Sequence, residues 1–200
     1  MRLPYTPNPP APSTPDEAAI ISRIQARRAP RPLQPLDLTL LHSPAVADGW
    51  NSFLGAIRTR TSLDAAAREL AICRVAVCNG AWYEWGHHAP LAAAAGVSGA
   101  AMEIMKRTPE ELASGVVTEE ERREVGLGER EWAVVRYADE MTKNVKVSEE
   151  VFAKLRGVCS EREVVEVTAT VAAYNCVSRF LVALDVGERN GTGPDDAGGH

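Results

Sequence analysis

The sequence predicts an all-α fold, and three observations carry that reading. Residues 16–28 (DEAAIISRIQARR) open with acids and close with arginines, the order a helix dipole prefers. Helix-stop residues recur after apolar stretches, at Asn79-Gly80 and at Gly96. The one β-branched run, VVEVTATV from Val164, continues into AAYNCVSRFLVALDV, whose length and i, i+3, i+4 apolar spacing favour a buried helix over a strand.

The elements follow in order. Residues 1–15 are proline-rich and predict an extended arm, either disordered or lying across a neighbouring subunit. A first helix spans 16–28 and is broken by APRPLQP. Residues 37–60 hold one or two helices, with Leu38, Leu40, Leu41, Trp50, Phe53, Leu54 and Ile57 as apolar contacts. Ser62 reads as the N-cap of a long helix over 63–78. A second helix runs over 82–95, and Ser98 caps a third to about residue 107. Residues 108–128 read as polar and turn-rich, followed by helices at 129–143, 148–156 and 160–185. The expected organisation is therefore an arm (1–15), one helical domain (16–188) and a glycine-rich, flexible tail (189–200).

Composition narrows the function classes. The 200 residues are 45% hydrophobic and 24% charged, with a net charge of −5. That balance gives no general attraction for nucleic acid or anionic lipid. Arg27, Arg28 and Arg31 form the densest basic group, and they read as a helix end. No apolar run in the sequence approaches the roughly 20 residues a membrane span needs, and the N-terminus has no apolar signal region. Cys73, Cys78, Cys159 and Cys176 form no CxxC, so free thiols in a reducing, cytoplasmic compartment are expected.

Chemistry concentrates on residues 69–88. Glu84 and His88 are four apart on one helix and share a face. A carboxylate bonded to imidazole fixes its tautomer and favours its charged form, which suits His88 to acid-base work. Glu69 lies on the preceding helix in an apolar segment, where a carboxylate needs a partner or a task. It reaches the same pocket by antiparallel packing, or it bridges to Arg68 or Arg74. Trp82, Tyr83 and Trp85 would wall the site. Glu84-x-x-His87 has di-iron half-site spacing, but no second Glu-x-x-His exists, and HExxH and paired CxxC motifs are absent, so no metal is expected. No glycine-rich phosphate loop is present either. Arg68-Glu69 before Tyr83 and His88 is weakly echoed by Arg162-Glu163 before Tyr174 and Arg179, which reads as two related helix pairs or as coincidence.

The stretch RELAICRVAVCNGAWYEWGHHAPLAAAAGVS resembles the carboxymuconolactone decarboxylase-like family, which includes alkylhydroperoxidase D-like proteins. The resemblance runs over about 37–184, is strongest at 68–98, and extends to the later YNCVSRFLVAL. It implies the single-domain, all-α alkylhydroperoxidase D-like fold and a homo-oligomer built from trimers, with sites near subunit contacts. In the peroxidase branch a Glu, a CxxC and a His recur. Here Glu69 and His88 match the Glu and His, while the cysteine positions fall on Ala81 and Glu84, so the redox pair is missing. Cys73 and Cys78, five apart on a helix, point about 140° from each other and do not replace it. The resemblance is to the decarboxylase-like branch, which implies cofactor-free acid-base chemistry on a small carboxylated or lactone-like molecule. His88, Glu84 and Glu69 are the implied catalytic residues, and Tyr83, Trp85, His87, Tyr174 and Arg179 the implied substrate contacts. Arg74 is a further candidate for a substrate carboxylate. Isomerisation, dehydration or cyclisation would use the same groups, and thiol peroxidase chemistry or a non-catalytic oligomer are the alternative classes.

Overall fold

A computed structural model describes residues 1–196. Every regular element among them is helical, as the sequence predicts. The described residues divide into two compact units, 1–61 with 183–188, and 62–182 with 189–196.

The first unit holds α1 (Pro15–Arg28), α2 (Pro35–Leu40), α3 (Pro44–Thr59) and a 3₁₀ turn, Val186–Glu188. Thr14 caps α1 by accepting from the Glu17 N–H. At its other end the buried guanidinium of Arg28 meets Asp37 at 2.8 Å. Asp37 also accepts from the Gln34 N–H at 2.8 Å, so one carboxylate ends one helix and starts the next. The proline-rich arm packs on this same unit. The Arg2 N–H donates to the Leu184 carbonyl at 2.8 Å, Thr6 donates through N and Oγ1 to the Leu38 carbonyl, and Tyr5 accepts from the Gly187 N–H at 2.9 Å.

The second unit holds α4 (Ala65–Asn79), α5 (Trp82–Ala94), α6 (Gly99–Met105), α7 (Pro109–Ala113), α8 (Glu119–Glu124), α9 (Glu129–Asn144), α10 (Glu149–Val158) and most of α11 (Glu161–Leu184). Its core gathers Leu70, Cys73 and Ala76 of α4, Trp85 and Ala92 of α5, Met102 and Met105 of α6, with Leu127 and Val135. α4 is buried on nearly every face, as a central helix is, and its buried charges Glu69 and Arg74 are both paired.

Two local expectations change. The N-cap of α4 is Asp64, not Ser62: the Asp64 carboxylate accepts from the Ala67 N–H at 2.8 Å, three residues on, as capping geometry demands. Ser62 instead donates through N and Oγ to Glu166, at 2.9 and 2.8 Å. The polar stretch 108–128 contains the short helices α7 and α8. Thr108 and Glu111 form a reciprocal capping box, and Thr118 caps α8, so local capping wins over polarity there.

By length and composition α11 is apolar enough to cross a bilayer, which the sequence reading did not expect. Half of its most apolar stretch is buried within the fold. It also carries buried Thr170, Asn175 and Ser178, all hydrogen-bonded, so here it is a core helix. Of the expected tail, residues 189–196 are described and make contacts within their unit: Trp85 Nε1 donates to the Pro194 carbonyl at 3.1 Å. The rest of that tail lies outside the described residues.

Candidate active site

The hairpin of α4 and α5 builds the site. Gly80 closes α4 in the left-handed conformation at φ 63°, which glycine adopts without strain. The Ala81 N–H then reaches back to the Ala76 carbonyl at 2.8 Å, the reversal that ends a helix and turns the chain. Packed back along α4, α5 brings His88 Nδ1 to 2.6 Å from Glu69 Oε2. Both side chains are buried, and so short a bond between imidazole and carboxylate is strongly charge-assisted. Arg68 Nε lies 3.3 Å from the other oxygen, Glu69 Oε1.

The carboxylate that fixes the imidazole is thus Glu69, where the sequence reading gave that role to Glu84. Glu84 sits one turn earlier on α5, and its two oxygens lie 3.1 and 3.0 Å from Ser178 Oγ of α11. Its side chain is 2% exposed. Burial pushes its carboxyl well above the usual carboxylate range, and the Ser178 hydrogen bond opposes this only in part.

The three helices form two layers. In the first, Glu69 of α4 meets His88 of α5, and the His88 ring stands edge-on to Tyr174 of α11, with centroids 5.0 Å apart. One turn along each helix, Cys73 of α4, Glu84 of α5 and Ser178 of α11 form the second. The Cys73 thiol is fully buried, and burial, then the charge of Glu69, push it well above an ordinary thiol. Sequence reasoning missed Ser178. The available signal was a hydroxyl four residues after Tyr174, on the same face of an apolar helix.

Other candidates lie elsewhere. Trp85 belongs to the apolar core. Half-buried His87 packs tilted at 33° against Tyr83 with centroids 4.3 Å apart, its Nδ1 2.8 Å from the Tyr83 carbonyl. Arg179 is exposed and donates to Asn175 Oδ1 at 2.6 Å on its own helix. Arg74 is entirely buried, paired with Asp139 and donating to the carbonyls of Met105 and Arg107, which makes it a structural cation. The echoed Glu163 serves Arg130 and Ser160 near the start of α11, so it does not repeat Glu69. A separate cleft of about 720 Å³, walled in part by Arg122, Trp132 and Val151, contains none of the site residues. Among the described residues no group of three His, Cys, Asp or Glu side chains is placed to hold a metal ion.

The sequence profile of the carboxymuconolactone decarboxylase family matches residues 44–105, a span that includes Glu69, Glu84 and His88. The fold is shared with a protein of unknown function from Agrobacterium tumefaciens, for which an antioxidant-defence (AhpD) role has been suggested: 20% identity, TM-score 0.60, covering 72% of this chain and 90% of that one. It is also shared with an alkylhydroperoxidase AhpD core, an uncharacterised peroxidase-related protein from Ralstonia eutropha: 19% identity, TM-score 0.64, covering 98% and 94%. The chain thus carries a segment matching the carboxymuconolactone decarboxylase family model, within a fold shared with AhpD-like proteins. An uncharacterised peroxidase-related protein from Silicibacter gives a TM-score of 0.68 at 15% identity, covering 94% of this chain and 95% of that one. No curated protein gives a significant sequence match. The family profile ends at residue 105, so Tyr174 and Ser178 enter the site through the fold, outside the matched segment.

Proposed function

We propose that the protein is a cofactor-independent acid-base enzyme that decarboxylates a small carboxylated or lactone-like substrate. The observation that carries this reading is the buried Glu69–His88 pair. With Nδ1 engaged by the carboxylate, proton exchange with substrate falls to Nε2, and Glu69 stabilises the imidazolium that carries the proton. In the reaction the C–C bond to the carboxylate breaks and CO₂ leaves. The electron pair spreads into an adjacent carbonyl, and the Nε2–H of His88 delivers a proton to the resulting carbanion. Solvent restores the proton on His88.

Thiol peroxidase chemistry finds less support. It needs a thiolate. Cys73 is buried and held protonated, and Cys78, buried beside Asp139, is pushed up to about 12. The family resemblance also implies a homo-oligomer built from trimers, which light scattering at micromolar concentration would check, a monomer mass excluding it.

The test is turnover of carboxylated lactones and oxo acids, followed by CO₂ release and by solvent deuterium entering the product. His88→Gln, with helicity checked by circular dichroism, should lower turnover at least about a hundredfold. Unchanged turnover in that variant, or hydroperoxide reduction that depends on Cys73, would overturn the proposal.

A further inference from the structure

We propose that Glu84 is a second catalytic group, a neutral carboxylic acid that donates a hydrogen bond to the carbonyl oxygen of the substrate while His88 serves the carbon. This rests on the acid-base reading above and deepens it, because it makes the substrate class one whose carbonyl is conjugated with the carbon that takes the proton.

The argument begins with partners. Glu84 is 2% exposed, and its hydrogen-bond partner is a single hydroxyl, Ser178. Ionised carboxylates at such depth take a cation or several N–H donors. The titratable neighbours are Cys73 on α4 and, one turn along α5, His88 with its own carboxylate Glu69. That imidazole is already committed through Nδ1 to Glu69. No ion pair forms at Glu84 among the described residues. A carboxyl so placed keeps its proton at neutral pH, and a neutral acid can donate.

Position supplies the rest. Glu84 and His88 lie one turn apart on the same face of α5, and both are backed by α11, through Ser178 and Tyr174. Ser178 Oγ is within reach of both Glu84 oxygens, so it can donate to whichever lacks the proton and hold the carboxyl in place. The site then contains a charged pair and a neutral acid side by side, two acid-base states set apart by environment. As the C–C bond breaks, the electron pair moves through the conjugated system onto the carbonyl oxygen. The Glu84 O–H meets the developing charge in a water-poor setting, where such a donor is most effective. When His88 protonates the carbon, the pair leaves the oxygen and Glu84 retains its proton. Ser178 acts through Glu84 and is a positioning residue.

An oxyanion probe tests this without knowledge of the substrate. 4-Nitrophenolate mimics an enolate oxygen, and its absorbance shifts when a donor binds it. The wild-type protein should bind it near neutral pH. Glu84→Gln keeps the shape but replaces the acid by a weaker amide donor and should weaken binding at least about tenfold. Glu84→Ala should weaken it further, and Ser178→Ala should have a smaller effect. Infrared difference spectra should show the carbonyl stretch of a protonated carboxylic acid that disappears in Glu84→Gln, which reports the protonation state, while the loss of probe binding reports the donor role. Failure of the wild type to bind the probe, wild-type affinity in both Glu84 variants, or absence of that band would each overturn the inference. His88→Gln separates the two proposals. Lost turnover there with full turnover in Glu84→Gln sinks only the role of Glu84, while full turnover in His88→Gln sinks the acid-base reading itself.

Discussion

Glu69 and Arg74 lie five residues apart on α4, both buried, and their surroundings differ in kind. Around Arg74 the charges answer one another. Its guanidinium meets Asp139 and the carbonyls of Met105 and Arg107 at 2.8 and 2.6 Å. Asp139 in turn takes Arg136 at 2.6 Å and the Cys78 thiol at 3.3 Å. These bonds tie α4, α6 and α9 together. Around Glu69 the partners are Arg68 on one oxygen and a titratable imidazole, His88, on the other, and one turn away lies a carboxyl held by one hydroxyl. Burial alone does not mark a functional charge. What differs is that Arg74 meets only a carboxylate and backbone carbonyls, while the contacts of Glu69 include an imidazole that can change protonation state.

The largest expected effect breaks the structural side of this comparison. Asp139→Ala strands two arginines, one fully buried, and should destabilise the fold by about 3–5 kcal/mol. Urea denaturation measures it, and a loss below about 1 kcal/mol would show that the cluster is not a structural keystone.

Next, Glu69→Gln keeps a hydrogen-bond acceptor for the imidazole but removes the charge that favours its protonated form. The apparent pKa of the His88 imidazole should fall, read from the pH–rate profile or from proton NMR of His88. An unmoved profile with intact folding would make the pair structural like the one at Arg74.

A pH experiment sharpens the contrast at Glu84, whose carboxyl burial pushes up. In the unfolded chain a glutamate ionises from about pH 4.3. Above that pH the unfolded state binds fewer protons than the folded one, so stability falls as pH rises, by up to about 1.4 kcal/mol per unit, until the folded-state carboxyl also ionises. Glu84→Gln removes this dependence. The variant should therefore gain on the wild type in denaturant titrations as pH rises above about 4.3, and parallel curves would show that Glu84 folds already ionised.

The smallest effect is expected at Cys73, which packs in the core beside the site. Cys73→Ala should lower stability by about 1 kcal/mol and leave acid-base turnover intact, measured on the same folded sample. Abolished turnover in a folded Cys73→Ala protein would bring back the thiol chemistry disfavoured above.

Much of this was legible along the chain. The helix ends at Gly80 and Ser98 and the first helix at 15–28 follow from residues within a turn of each other. Glu69 and His88 were legible as candidates because they stand in apolar surroundings joined by a tight turn. Their pairing was misassigned, since i, i+4 spacing made Glu84 the obvious partner of His88. Trp85 and Arg179 were substrate contacts implied by the resemblance; helix rotation puts the first in the core and the second at the surface.

By itself the sequence determined the all-helical class and several helix ends, Gly80 and Ser98 among them, because caps, stops and apolar periodicity act over a few neighbouring residues. Only the tertiary structure decided which of the candidate residues meet. Glu69 reaches His88 across the α4–α5 hairpin, and Ser178 reaches Glu84 from 94 residues away. Such pairings depend on how helices are rotated and packed against one another, and burial sets protonation state only once that packing has excluded water.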